Sequence, residues 1–343
     1  MMRRTILKSL LAAPVAAAFP SVWAQAAKIE KPKLTIAVGG KNLFYYLPLS
    51  IAERQGYFKA EGLDVEIPDF AGGSKALQAL IGGSADVVSG AYEHTINMQA
   101  KNQSIQEFVL QGRAPQIVLA VSTKNMPNYQ SLADLKGKKI GVSAPGSSTS
   151  MMATYVLSKA GLKASDVSFV GIGTSSGALS AVKSGQVDAI ANLDPVITML
   201  ERDKAIRIIS DTRTLKDTQS VYGGPMPAAC LYAPTKFLNE NPNTAQALAN
   251  AMVRALRWLQ KTGPSELVKT VPEAYLLGDR SLYLEAWMHV KEAMSPDGIM
   301  PDAGPATALK MLQTFEPEIA SKKIDLAKTF TNAFAKKAAA KYV

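Results

Sequence analysis

One segment of this chain occurs twice, and that duplication limits what it can fold into. Residues 76–88 (ALQALIGGSADVV) and 178–190 (ALSAVKSGQVDAI) share Ala, Leu, Ala, Gly and Asp at one constant offset. Each reads as a helix, a glycine stop suited to a left-handed cap, and a buried strand. The likeness continues upstream. Short apolar strands at 34–38 and 139–142 are each followed by a helix, at 47–55 and 148–160, that stops at Gly56 or Gly161. Second strands follow at 63–67 and 167–170. Two β-α-β-α-β units predict two α/β lobes with largely parallel sheets covered on both faces. At 343 residues and 47% hydrophobic content the chain can fill two domain-sized cores.

The remaining segments fit around these units. Apolar strands at 117–121 and 228–232 are expected to pair as crossovers between the lobes, and 245–260 has helical spacing that stops at Gly263-Pro264. Leu326, Phe330 and Phe334 are expected to form an i, i+4 stripe in one last helix packed on the first lobe. Residues 1–24 have the form of a secretory signal peptide: Arg3, Arg4 and Lys8, then a short apolar run, then Val22 and Ala24 before a cut near Ala24. The leader predicts periplasmic delivery by the general secretory route or, through Arg3-Arg4, the twin-arginine route. No cysteine follows its apolar run to carry a lipid, so a free, soluble protein is expected.

Composition excludes several functions. The net charge of +10 comes from scattered lysines and arginines without an aromatic-interleaved stripe, which argues against nucleic-acid binding. The single cysteine, Cys230, lies in an apolar run and reads as a buried, inert thiol. Two histidines, His94 and His289, far apart in sequence, give no metal-ligand spacing, and neither a nucleophile elbow nor a phosphate-binding P-loop is present. No cofactor is called for, and an enzyme is not expected.

The chemistry lies in the loops after the strands, where open α/β sheets bind ligands. In the first unit these carry Asn42, Tyr45 and Tyr46, then Gly73 and Ser74, then Ser89, Gly90, Tyr92 and Glu93. In the second they carry Ser143, Gly146, Ser147 and Ser148, then Asn192 and Asp194. Helix N-termini with free N–H groups, glycines that admit close approach, and hydroxyl donors suit an anion such as a sulfonate, phosphate or carboxylate. Each serine is equally readable as a helix N-cap. The tyrosines could stack on a ring or line an apolar slot. Glu93 would oppose a bare anion and suits a cationic or amide group. Asp86 and Asp188 repeat each other at strand starts and read as structural.

Residues 48–66 (PLSIAERQGYFKAEGLDVE), the GGS at 72–74, 83–86 (GSAD), 135–142 (LKGKKIGV), 184–189 (SGQVDA) and Asp194-Pro195 together resemble the nitrate/sulfonate/taurine and thiamine-pyrimidine-precursor binding proteins of ABC importers. The resemblance covers most of 33–335. It implies a type II periplasmic-binding-protein fold, with two α/β lobes joined by two crossover strands and a ligand cleft between them. The lobes would be 33–119 plus 228–343, and 120–225. It also implies a monomer that closes on a small molecule by hinge bending and delivers it to a membrane permease with its cytoplasmic ATPase. Tyr45-Tyr46 and the stretch 89–94 depart from familiar sulfonate binders. The alternatives are a same-fold enzyme acting on a small metabolite and a binding domain serving a sensor.

Overall fold

The computed structural model describes residues 28–342; the leader lies outside the described residues. Two five-stranded sheets form the framework. The first contains β1 (Lys33–Val38), β2 (Asp64–Glu66), β3 (Val87–Ala91) and β4 (Ile105–Leu110). The second contains β5 (Val118–Ser122), β6 (Lys139–Val142), β7 (Ser168–Gly171), β8 (Ala189–Asn192) and β9 (Ile206–Asp211). The last strand, β10 (Ala229–Pro234), returns to the first sheet. The orders are β2-β1-β3-β10-β4 and β7-β6-β8-β5-β9. They are the same arrangement built twice: a parallel trio, then one antiparallel strand, then an edge strand.

The duplicated segment has the same structure in both halves. In the first it runs from α3 (Gly73–Ile81) into β3, and in the second from α6 (Ser176–Ser184) into β8. Gly83 and Gly185 carry φ of 76° and 84°, the left-handed turn that lets the chain leave each helix without a Cβ penalty. Asp86 Oδ2 accepts the Thr35 N–H at 3.0 Å, and Asp188 Oδ2 accepts the Lys139 N–H at 2.9 Å. Each aspartate thus pins the first strand of its own unit. Burial is nearly complete along β3, β5 and β8, as both-face coverage requires.

The two crossover strands do not pair with each other. β10 lies antiparallel between β3 and β4, and β5 antiparallel between β8 and β9. A strand entering each sheet from the other lobe runs against the parallel trio, so both sheets are mixed. The backbone that meets at the crossing lies just outside these strands. Gly112 and Ala228–Ala229 exchange bonds (Ala228 N–H to Gly112 O and Gly112 N–H to Ala229 O, both 3.0 Å), and Gln116 N–H donates to Thr212 O at 3.0 Å.

The helices include α1 (Leu47–Arg54), α2 (Tyr57–Ala60), α4 (Glu93–Ala100), α5 (Ser148–Ser158), α7 (Val196–Arg202), α8 (Leu215–Tyr222), α9 (Thr235–Glu240) and α10 (Pro242–Lys261). The long α10 packs its apolar face on α1, α2 and β4 of the first lobe. The single last helix expected over Leu326, Phe330 and Phe334 is broken. Leu326 lies in a 3-10 turn, Phe330 forms a bridge beside β4, and Phe334 opens the helix Ala333–Lys341. The break follows from β4 being a sheet edge. Glu107 N–H donates to Thr329 O and Thr331 N–H to Glu107 O, so the edge is capped by backbone instead of helix.

Candidate ligand cleft

The strand-end loops of the two halves face one another and touch. Ser74, in the first turn of α3, donates its N–H to Ser147 Oγ at 3.0 Å and its hydroxyl to Pro145 O at 2.9 Å. Ser147 in turn donates to Ser74 Oγ at 3.1 Å. A second contact joins Asn42, whose Nδ2 donates to Thr174 O at 2.9 Å, while Thr174 Oγ1 donates to Asn42 Oδ1 at 3.2 Å. A third runs from Phe44 N–H to Asp194 O at 3.4 Å. Backbones approach as closely as side chains. A Cβ on Gly72 would lie 2.8 Å from the Ala144 Cβ, and one on Gly40, whose φ is +101°, 2.7 Å from Thr174 Oγ1. Only glycine allows that approach. Neither α3 nor α5 has a side-chain N-cap bond, so Ser74 and Ser147 serve the contact between halves and not the capping of their own helices.

The other site candidates divide by what they touch. Tyr45, Tyr46 and Glu93 are buried at the junction of the halves, with the Tyr45 and Tyr46 rings edge-on at 4.8 Å between centroids. Ser148 reaches Tyr45 from the second half without forming a hydrogen bond to it. Gly73 lies over the same region, where an added Cβ would sit 3.4 Å from His94 Cε1 and 3.5 Å from the Tyr46 hydroxyl. Gly146, at φ +81°, donates its N–H to Ser150 Oγ at 2.9 Å and shapes the turn that meets Ser74.

Several candidates are held within their own half. Ser143 bonds Thr149, its N–H donating at 3.1 Å and its hydroxyl pairing at 2.9 Å. Ser89 Oγ accepts Gln111 Nε2 at 2.9 Å, and Gly90 lies against the Tyr232 ring. Tyr92 pairs its hydroxyl with Thr329 Oγ1 at 2.6 Å, on the C-terminal segment. Asn192 braces its own loop, donating Nδ2 to Gly173 O at 3.0 Å and accepting the Leu193 N–H at 2.9 Å. Asp194 accepts the Thr198 N–H and hydroxyl at 2.8 Å, and its other oxygen is 3.6 Å from Arg213 Nη1. Arg213 also pairs with Glu201 and Asp211 at 2.7 Å each, so this cation is shared among three carboxylates.

The electrostatics of the junction are set by burial. Glu93 is pushed up to about 7 by loss of water, with its own backbone N–H the sole opposing influence. His94, whose Nδ1 meets the Tyr232 hydroxyl at 3.1 Å, is lowered to about 4 by the same cause and is neutral at physiological pH. Burial, followed by the Glu93 charge, also raises Tyr45 and Tyr222. Burial raises Asp194, with Arg213 and Thr198 pulling the other way.

A cavity of about 500 Å³ opens at the rim, bounded by Ser74, His94, Gly146, Met151 and Lys101 and by Glu316–Ile319 of the C-terminal region. Pro145, Thr174, His94 and Tyr222 complete the junction, although sequence reasoning did not select them as site residues. Pro145 lies in the loop that carries Ser143, Gly146 and Ser147, and Thr174 lies just before α6 of the duplicated segment. Tyr222, at the end of α8 before Gly223, carries no such signal.

The two halves meet through the loops of a duplicated α/β fold, and that fold recurs among known proteins. A family model described as NMT1/THI5 like matches residues 44–264. The chain belongs to the NMT1/THI5-like family. A solved protein from Bordetella bronchiseptica RB50 is 60% identical with a TM-score of 0.90, over 92% of this chain and 99% of that one. The alkanesulfonate-binding protein SsuA from Xanthomonas axonopodis pv. citri, solved bound to MOPS, is 20% identical with a TM-score of 0.67, over 89% of this chain and all of that one (100%). It shares the periplasmic-binding-protein fold. The 4-amino-5-hydroxymethyl-2-methylpyrimidine phosphate synthase of Aspergillus parasiticus is 28% identical over 231 residues, 65% of each chain. The curated relatives are matched over 43% to 67% of their own length. Family membership therefore spans binders and enzymes, and the cleft itself must carry the functional argument.

Proposed function

We propose that this protein is the solute-binding component of an ABC importer. It is exported to the periplasm by its leader and acts as a monomer without a cofactor. It captures a small organic molecule between the lobes 33–119 plus 228–343 and 120–225, then presents it to a membrane permease with its cytoplasmic ATPase. The observation that carries this reading is a crosswise meeting of the duplicated loops: the loop after the first strand of each unit meets the loop before the duplicated helix of the other, Asn42 with Thr174 and Ser147 with Ser74, joining the two repeats across the cleft. A ligand that contacts both halves favours this closed form over an open one by its difference in affinity for the two. The N-termini of α3 and α5 meet at the junction, where their positive dipole ends suit an anionic part of the ligand.

A thermal-shift screen across sulfonates, nitrate, aromatic acids and pyrimidines, followed by small-angle scattering with the best hit, tests this. Binding should raise Tm and shrink the radius of gyration. A tight ligand that leaves the radius unchanged contradicts capture by closure.

A further inference from the structure

We propose that Glu93 anchors a ligand that donates N–H hydrogen bonds, through an amidine, amine or amide group held at the junction of the two halves. This rests on the capture reading above and names the chemistry of its ligand. Glu93 is 3% exposed, and its Oε2 has no hydrogen-bond partner. A buried carboxyl without a partner is costly, and proteins seldom retain one without a use. The groups its charge reaches come from several elements: Tyr45 and Tyr46 before α1, Tyr222 at the end of α8, and Cys230 and Tyr232 on β10. Its neighbour His94 is neutral. All of these are uncharged at neutral pH, and among the described residues Glu93 has no ion pair, although the chain as a whole is strongly basic.

Position separates Glu93 from the other buried acids. Glu107, too, has both oxygens unpartnered, but it lies on β4 beneath the C-terminal bridge, and its charge reaches Tyr92 and Cys230, both of the first half. Asp194 has Arg213 and Thr198. Glu93 reaches across the junction to Tyr222, and unlike Asp194, whose charge reaches His289 of the first half but is met by Arg213, it has no cation to pair with. A group placed there is enclosed when the halves meet and reaches solvent when they part. A buried carboxyl among uncharged residues suits a compact group that brings its own N–H donors or positive charge.

The test uses two isosteric series as probes, acetate, acetamide and acetamidinium, and benzoate, benzamide and benzamidinium, each titrated calorimetrically into the wild-type chain and into Glu93→Gln. In whichever series fits, the amidinium should bind the wild type most tightly and the carboxylate least. Glu93→Gln should weaken amidinium binding about tenfold and remove its advantage over the amide. Circular dichroism of the variant confirms its fold. A carboxylate that binds the wild type as well as its amidinium, or an amidinium that ignores the substitution, overturns the assignment. So does a failure of all six probes. In that event a sulfonate or nitrate that still binds leaves the capture reading standing, and failure of those as well removes both.

Discussion

Glu93 should contribute to the pH response of the unliganded protein, beside the other buried acids Glu107 and Asp194. Its folded-state value of about 7 lies above the ordinary carboxyl value of 4.5, so the folded chain holds a proton the unfolded chain has released. The associated stability is present below about 4.5 and is lost as pH rises through 7. His94, lowered to about 4 from 6.5, acts in the opposite sense, and its contribution is lost as pH falls from 6.5 through 4. Comparing wild type with Glu93→Gln cancels the histidine. The stability of the variant relative to wild type should be greater at pH 8 than at pH 4 by on the order of 3 kcal/mol, read from urea unfolding. A difference independent of pH would mean that Glu93 is solvated. Ser74 and Ser147 act on closure. Replacing either by Ala removes bonds made between the halves, so ligand affinity should fall by up to about tenfold in calorimetry while Tm without ligand changes little. Asp188 acts on the fold. Asp188→Ala strips acceptors from the Lys139 N–H and from Asn125 Nδ2, and should cost about 1–3 kcal/mol in urea unfolding with ligand preference unchanged.

At the scale of elements, the entry to α3 is where the two halves come closest. Gly72 has extended backbone at φ −176°, which any residue tolerates, yet its added Cβ would collide with Ala144 of the other half. Gly72→Val is therefore a wedge. Small-angle scattering should show a larger radius of gyration than wild type under ligand, with unaltered far-ultraviolet dichroism. The repeat made these elements legible beforehand, because helix, glycine stop and strand are local chemistry written twice. The loops that end those strands were legible for the same reason. What each loop residue touches was not. Ser89, Tyr92, Ser143 and Asn192 have the same polarity as Ser74 and Ser147, but bond within their own half, a choice made by tertiary packing. The break at Thr329 escaped notice because a helical stripe and an edge-capping turn present the same apolar spacing; the demand comes from β4, distant in sequence. Strand direction at the crossing was likewise hidden, since an apolar run carries no sign of whether it will lie parallel or antiparallel.

For the whole molecule, the two sheets are joined by two backbone crossings, where Gly112 meets Ala228–Ala229 and Gln116 meets Thr212. On the proposed reading these paired crossings act as a hinge that moves each half as a body while its core stays packed. The cleft loops join the two halves by hydrogen bonds alone, so a rotation of one half about the crossings would part them. Under the proposed function, capture, closure and release would follow from that one motion. Native mass spectrometry of the exported wild-type chain, beside Gly72→Val prepared in the same way, tests this most directly. The account predicts one small molecule of constant mass on the wild type and its loss from the wedged variant. Equal occupancy of the two chains, or two bare chains even after incubation in cell extract, would contradict it.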